Sequence, residues 1–218
     1  MGKLIIIYGV NGVGKDAIAL SLSREYTNSV VVSDQRILMY HLGIIDSYDN
    51  SLKIDKEKYK KLEDTSNEKF IDIYQNKFIQ TLSEIKSNYD IVFLISHLVI
   101  SLHTDKESPL YMDTESININ LENLLSGIAD GVFYIKSDCK DILKRREVDA
   151  KKYDRQRPLR LEDIKQHQYL NDKKWDEISK YVSENKKITI LNDEGKLDKA
   201  ISTARDFIDN ILSDVSKL

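Results

Sequence analysis

Residues Lys3–Asp16 read KLIIIYGVNGVGKD, and the change of character halfway along this stretch decides the fold. Lys3–Tyr8 is apolar and β-branched with no polar alternation, the pattern of a strand covered on both faces in a parallel sheet. Gly9, Gly12 and Gly14 then crowd together, although the whole chain has only 8 glycines. From Asp16 to Tyr26, apolar residues return at helical spacing (Ala17, Ile18, Leu20, Leu22), so the order is strand, glycine loop, helix.

The same alternation continues outward. Val30–Val32, Ile91–Ile95 (IVFLI), Gly131–Lys136 (GVFYIK) and Lys187–Leu191 (KITIL) are further short strands. Helical periodicity falls between them. It covers Gln35–Ile45, one or two amphipathic helices over Ile54–Lys86, and Ile117–Leu125 ending near Gly127. A helix follows Ser137 or Asp138 as cap, and two more span Leu161–Val182 and Lys196–Leu218. Strands alternating with helices predict an α/β fold: a five-stranded parallel sheet with helices on both faces. No internal repeat or low-complexity linker divides the 218 residues, which read as a single domain.

Composition narrows the function classes. Apolar residues are 41% and charged residues 32%, so a sizeable core can form. The net charge is −3, which disfavours a basic nucleic-acid wrapper, and no nucleic-acid partner is expected. One cysteine, Cys139, excludes an internal disulfide and a Cys-rich zinc site, and it reads as structural. No stretch resembles a signal peptide, and no apolar run approaches the ~20 residues of a membrane span. The expectation is a cytoplasmic protein without a membrane partner.

Gly9–Asp16, GVNGVGKD, fits GxxxxGK, the phosphate loop of P-loop NTP hydrolase folds, between the strand and helix that motif requires. Glycines let backbone amides curl around phosphate oxygens, and the helix N-terminus adds partial positive charge. Gly9, Asn11, Gly12, Val13, Gly14 and Lys15 are thus candidate ATP-binding residues, Lys15 reaching the β- and γ-phosphates as a catalytic cation. The competing reading is a glycine turn without a ligand. Asp16 stands where a serine or threonine is usual. A carboxylate suits Mg²⁺ or its water shell, while adding negative charge beside a triphosphate. Asp16 is the candidate Mg²⁺ ligand; the alternative is a degenerate loop.

A second cluster lies at Arg145, Arg146, Arg155, Arg157 and Arg160, five of the chain's eight arginines. Arginine forks suit phosphate oxygens and the charge spread over a transferring phosphoryl group. The segment 145–160 is therefore expected to form a small Arg-rich lid, with Arg146, Arg155 and Arg157 catalytic; a solvated basic run is the alternative.

With these motifs in place, the sequence resembles the nucleoside-monophosphate kinase group of P-loop proteins, and within it the archaeal-type adenylate kinases. GVNGVGKD resembles that family's phosphate loop. VFLISHLVI (Val92–Ile100) resembles its third-strand segment, with His97 on the family's histidine. ILKRREVD followed by DRQR resembles its lid, with Arg145 on the ATP side and Arg155 and Arg157 on an Arg-x-Arg pair. TILNDEG (Thr189–Gly195) resembles the turn against adenine, which adds Asn192 and Gly195 to the ATP-binding set. The resemblance implies a mobile acceptor region, here about 34–87, and transfer of the γ-phosphoryl of ATP to a nucleoside monophosphate with Mg²⁺. The family's acidic residue two before the third-strand histidine is replaced by Ile95, and one reading has Asp16 supply the missing carboxylate.

Asp34 and Arg36 follow the second strand, where related kinases bind the acceptor. Asp34 is read either as an acceptor ligand or as a helix cap. His97 follows the third strand at the carboxyl edge, where open α/β sheets bind ligands; it reads as an acceptor residue or as a structural histidine. His41, His103 and His167 are scattered and suggest no metal site. Trp175, Tyr169 and Tyr181 read as packing.

The function expected is an ATP-dependent kinase of a nucleoside monophosphate or related small acceptor. The alternatives are a kinase of a nucleoside or phosphorylated metabolite, and a nucleotide-binding regulatory protein. A GTPase switch is disfavoured, because no NKxD follows a strand and no strand ends in a Walker B aspartate.

Overall fold

Five strands pair in parallel in the order β2-β3-β1-β4-β5. They are β1 (Lys3–Tyr8), β2 (Ser29–Ser33), β3 (Ile91–Ile95), β4 (Gly131–Lys136) and β5 (Lys187–Leu191). This computed structural model describes residues 2–63, 65, 67–99, 124–153 and 159–213. The helices are α1 (Lys15–Ser23), α2 (Asp34–His41), α3 (Lys56–Glu63), α4 (Asn67–Asn76), α5 (Phe78–Asn88), α6 (Cys139–Tyr153), α7 (Leu161–Ile178) and α8 (Leu197–Ser213).

The apolar run of β1 sits at the centre, Ile5 pairing with Phe93 of β3 on one side and Gly131 of β4 on the other. Its alternate residues supply two cores. Ile5 and Ile7 join Ile18, Leu22, Phe93 and Ile208 on one face. Leu4, Ile6 and Tyr8 join Val32, Phe78, Leu94 and Trp175 on the other. A strand buried on both faces has no polar positions, which is why its sequence lacks alternation. Trp175 stacks on Tyr134 with centroids 5.2 Å apart, in keeping with a packing role. A third core of Leu38, Met39, Ile45, Leu62, Phe70 and Ile73 lies within the α2–α4 region.

Connections from β1 run to one side of the sheet and those after β3 to the other. The crevice at the carboxyl end of β1 is therefore where an open α/β sheet takes its ligand. At the opposite edge, Asp130 holds Lys86 at 2.6 Å and Lys3 at 3.2 Å and accepts the Leu4 amide at 2.9 Å, tying β1 to α5 and β4.

Helix boundaries differ from the sequence expectation in several places. Ile54–Lys86 contains three helices, with Asp55 capping the amide of Lys58 at 2.8 Å and Lys77, off helical geometry, separating α4 from α5. The helix expected to reach Ile45 stops at His41. Gly43, at φ +66°, donates its amide to the Tyr40 carbonyl and closes the C-terminus in a left-handed turn. The helix expected over Ile117–Leu125 falls mostly outside the described residues; Leu124 and Leu125 open a π-helical turn, Leu124–Ile128.

One buried histidine makes stability pH-dependent. His167 on α7 is fully buried, and burial pulls its pKa down to about 4. Its folded value lies below its unfolded one, so the native state binds fewer protons between the two, and stability is lost as pH falls through that window. Urea unfolding is expected to show a loss of about 2 kcal/mol between pH 7 and pH 5 from this group alone. His167→Gln should lack that increment. An unchanged pH slope in the variant would remove His167 as its source.

Candidate active site

The phosphate loop leaves β1 at Gly9 and enters α1 at Lys15. Gly12 and Gly14 sit at φ +94° and +95°, left-handed geometry that side-chain-bearing residues avoid. Such turns swing successive peptide planes so that amides converge on one point, an anion nest. Gly14 is also the N-cap of α1 and offers no side-chain acceptor to the helix's first amides, so the macrodipole end faces the loop uncapped.

The outward face of the loop is held by side chains. Lys15 donates to the carbonyls of Gly9 (2.6 Å) and Val10 (3.3 Å). Arg146 Nε donates to the carbonyl of Asn11 at 3.0 Å. Arg145 Nη1 reaches the carbonyls of Gly12 and Val13, each at 3.3 Å. Asn192 Nδ2 donates to the Val13 carbonyl at 2.7 Å, and the Asn192 carbonyl in turn accepts Arg145 Nη2 at 2.7 Å. Every carbonyl from Gly9 to Val13 thus has a donor drawn from α1, α6 or the turn after β5. Arg145 and Arg146, expected in a lid, sit on α6 with these contacts to the loop backbone. Arg155 and Arg157 lie outside the described residues. Arg160 precedes α7 at the surface. Gly195 is exposed in the turn after β5 at φ +74°.

Across Asn11 lie the residues expected to take an acceptor. Asp34, the first residue of α2, is buried. Ser33, not Asp34, caps that helix, its Oγ accepting the Arg36 amide at 3.3 Å. The Asp34 carboxylate instead accepts the Gln35 amide (2.7 Å), Ser96 Oγ (3.2 Å) and His97 Nδ1 (3.4 Å). Burial pushes the Asp34 carboxyl up, but His97, the Gln35 amide and Lys15 outweigh it and hold it below the usual carboxylate range. Burial and Lys15 pull His97 down, against the pull of Asp34. At neutral pH the Asp34 side chain is a carboxylate that accepts from His97 Nδ1. His97 Nε2 meets the side-chain amide of Asn11 at 2.9 Å, so Asn11 touches both sides of the site.

Arg36 is buried, and its guanidinium donates to the Leu52 carbonyl. Asn50, in the same segment, donates to Asp16 Oδ1 at 3.3 Å and accepts from Ser33 Oγ at 3.4 Å. It bridges the residue after the phosphate-loop lysine to the cap of α2. Asn50 and Ser96 escaped the sequence reading. Asn50 belongs to a turn-rich SYDNS stretch that signals only a loop, and Ser96 is a single hydroxyl beside a histidine.

Asp16 is exposed, and Asn50 Nδ2 is its partner. Among the described residues, no group of three or more histidine, cysteine or acidic side chains is placed to hold a metal. A lone carboxylate still fits Mg²⁺, which usually keeps several waters and binds through one or two carboxylates plus substrate phosphates.

No protein-family model matches the sequence, and no characterised relative is found for it. Solved structures do resemble it. Thymidylate kinase from Candida albicans superposes with a TM-score of 0.59 at 16% identity, covering 96% of this chain and 92% of that one. Shikimate kinase from Acinetobacter baumannii, solved with shikimate, gives 0.54 at 16% identity over 98% and 95%. Shikimate kinase from Bacteroides thetaiotaomicron gives 0.53 at 10% over 95% and 98%. At these identities the likeness is one of fold. The chain has the α/β fold of P-loop kinases over nearly its whole described length. None of the three is an adenylate kinase. No described helix is long and apolar enough to cross a membrane.

Proposed function

We propose that the chain is an ATP-dependent phosphotransferase that moves the γ-phosphoryl group to a small acceptor, a nucleoside monophosphate or a related molecule. One observation carries this reading. A phosphate loop with all its outward carbonyls held by donors stands against a buried carboxylate–imidazole pair, and Asn11 is shared between them. A bare anion-binding loop needs no such second half.

The chain's own groups divide the work. Amides of the loop and of α1 receive the phosphates, and Lys15 neutralises charge near the transferred group. Asp34 orients the acceptor through a hydroxyl of its sugar or carbon frame, with His97 fixing the carboxylate. Arg155 and Arg157, outside the described residues, would add cations to the moving phosphoryl oxygens. Asp16 would hold Mg²⁺ through its carboxylate, and the ion would supply further charge neutralisation there.

A second reading keeps the donor side and changes the acceptor. An ionised, buried Asp34 repels a phosphate and welcomes a hydroxyl, which favours a nucleoside or other alcohol. One structural neighbour is a shikimate kinase in complex with shikimate.

The deciding experiment is an ATP-consumption screen over nucleoside monophosphates, nucleosides and small phosphorylated or hydroxylated metabolites. One acceptor class should stimulate ADP release at least tenfold over the acceptor-free rate. ATP binding without transfer to any acceptor would instead identify a regulatory nucleotide binder. Asp16→Ala should raise the Mg²⁺ concentration needed for half-maximal turnover by about tenfold. An unchanged Mg²⁺ dependence would sink the ligand role.

A further inference from the structure

Tyr8 Oη, Gln168 Oε1 and Asn171 Oδ1 are buried and have no hydrogen-bond partner among the described residues. Tyr8 and Asn171 are fully buried, and Gln168 is 8% exposed. Buried polar groups are nearly always paired, so three such atoms in one region need a reason.

The topology brings them to one end of the sheet. Tyr8 ends β1 and is in register with Tyr134 of β4, and both rings enter the same core as Trp175 of α7. Gln168 Nε2 donates to the Tyr134 hydroxyl at 3.2 Å and to Asp172 Oδ1 at 3.0 Å, so α7 lies over this pair of strands. Asn171 stands one turn from Gln168 on the same buried face of α7. On the other flank of Tyr8, Ser96 donates its amide to the Ile7 carbonyl at 3.0 Å and its hydroxyl to Asp34 at 3.2 Å. Tyr8 thus stands between the Asp34 carboxylate and the α7 amides.

The bonds already made fix the chemistry of the free atoms. The Asp172 carboxylate can only accept, so the nitrogen of Gln168 faces it and the free atom is the oxygen. Asn171 Nδ2 donates to the His167 carbonyl at 2.9 Å, so its free atom is an oxygen too. Both oxygens can only accept. Burial, with the charge of Asp34 added, pushes the Tyr8 phenol up, so it keeps its hydrogen at neutral pH and can donate it. None of the three satisfies another. Together they suit a group with at least two N–H or O–H donors and one acceptor. The Asp34 carboxylate nearby disfavours negative charge on that group.

We propose that Tyr8, Gln168 and Asn171 form a specificity subsite for the uncharged half of the acceptor. Gln168 and Asn171 take hydrogens from its amino or hydroxyl groups, and Tyr8 gives one to a ring nitrogen or oxygen. The proposal rests on the reading of the chain as a small-molecule kinase and adds which end of the acceptor lies here. A base with an amino group beside a ring nitrogen, as in cytosine or adenine, meets the demand, and so does a ring of neighbouring hydroxyls. A keto base with a single N–H does not, because one of the amide oxygens stays unpaired.

The test is acceptor kinetics on the full chain with MgATP as donor. The acceptors are cytidine, uridine, adenosine and inosine monophosphates, with shikimate and inositol as polyols. An amino base should exceed its keto counterpart in kcat/KM by at least tenfold if a base occupies the subsite. Turnover of a polyol instead identifies hydroxyls as the group held. Tyr8→Phe should raise the KM for the preferred acceptor about tenfold and kcat should change less. Its thermal midpoint should stay level or rise, because the lost hydroxyl has no partner to lose. Asn171→Leu should cost the preferred acceptor and spare an analogue lacking the amino or hydroxyl donor. A trapped water in place of a ligand predicts a lower midpoint and an unmoved KM in Tyr8→Phe, and that result overturns the proposal. So does a preference for the keto bases, or an equal loss on both analogues in Asn171→Leu. Should Asn171→Leu fail to fold, Tyr8→Phe, which removes one atom, decides alone. Transfer only to acceptors without such donors overturns the inference and leaves the kinase reading standing. No transfer to any acceptor overturns both.

Discussion

Lys15→Ala is expected to lower acceptor-stimulated ATP turnover by about 10²-fold or more, the effect of losing several kcal/mol of transition-state stabilisation. The ammonium is buried at the mouth of α1 and leans on the carbonyls of Gly9 and Val10. From there it needs only to swing outward to meet phosphate oxygens, and among the described residues it is the lysine seen donating to the loop. Its removal also takes a donor from both carbonyls, Val10 keeping the Val13 amide at 3.4 Å, so weaker nucleotide binding should accompany slower turnover. Coupled ADP-release kinetics with the acceptor found by screening, together with calorimetry, separates the two losses. Turnover within tenfold of wild type would rule out the assigned role.

Gly9→Ala should be the most damaging single methyl in the loop, costing stability on the order of 3 kcal/mol. Gly9 sits at φ +149°, and a Cβ there would stand 2.5 Å from the Ile135 carbonyl oxygen of the neighbouring strand β4. Strand backbone in the middle of a sheet cannot step aside. Gly195 provides the control. It also has positive φ, +74°, but an added Cβ meets nothing within 4 Å. Gly195→Ala should therefore cost only the backbone strain, about 1 kcal/mol. Urea denaturation of the two variants checks the contrast, and equal costs would show that steric overlap at β4 is not what Gly9 avoids.

The sheet could be read from the chain because its signals are local. Each of the five strands is a short apolar run, and β1 runs directly into glycines that only a tight loop explains. The helices of the acceptor region were harder. Where α4 ends and α5 begins depends on Lys77 leaving helical geometry, although apolar periodicity runs straight through it. The site was legible as a set of residue types, not as a set of partners. Arg145 and Arg146 were identified as cations for a phosphate site, yet their contacts are with loop carbonyls. No sequence pattern distinguishes an arginine that meets phosphate from one that holds the backbone meeting it. Asp34 was ambiguous for a similar reason. Adjacent Ser33 and Asp34 can each cap a helix, and only three-dimensional placement shows Ser33 capping while Asp34 turns to Ser96 and His97.

The separate core beneath α2–α4 has a consequence for how the molecule opens. Leu38, Met39, Ile45, Leu62, Phe70 and Ile73 pack on one another and not into either sheet core. Such a cluster can come apart as its own cooperative unit while the sheet stays folded. Native-state hydrogen exchange should then show α3 and α4 exchanging through a shared sub-global opening, at a free energy below that of global unfolding. The strands β1, β3 and β4 should exchange only when the whole chain unfolds. The α2–α4 side would thus be the softer half of the molecule and the glycine-loop side the rigid one, so if the proposed function holds, acceptor preference could drift by repacking six side chains without touching the loop.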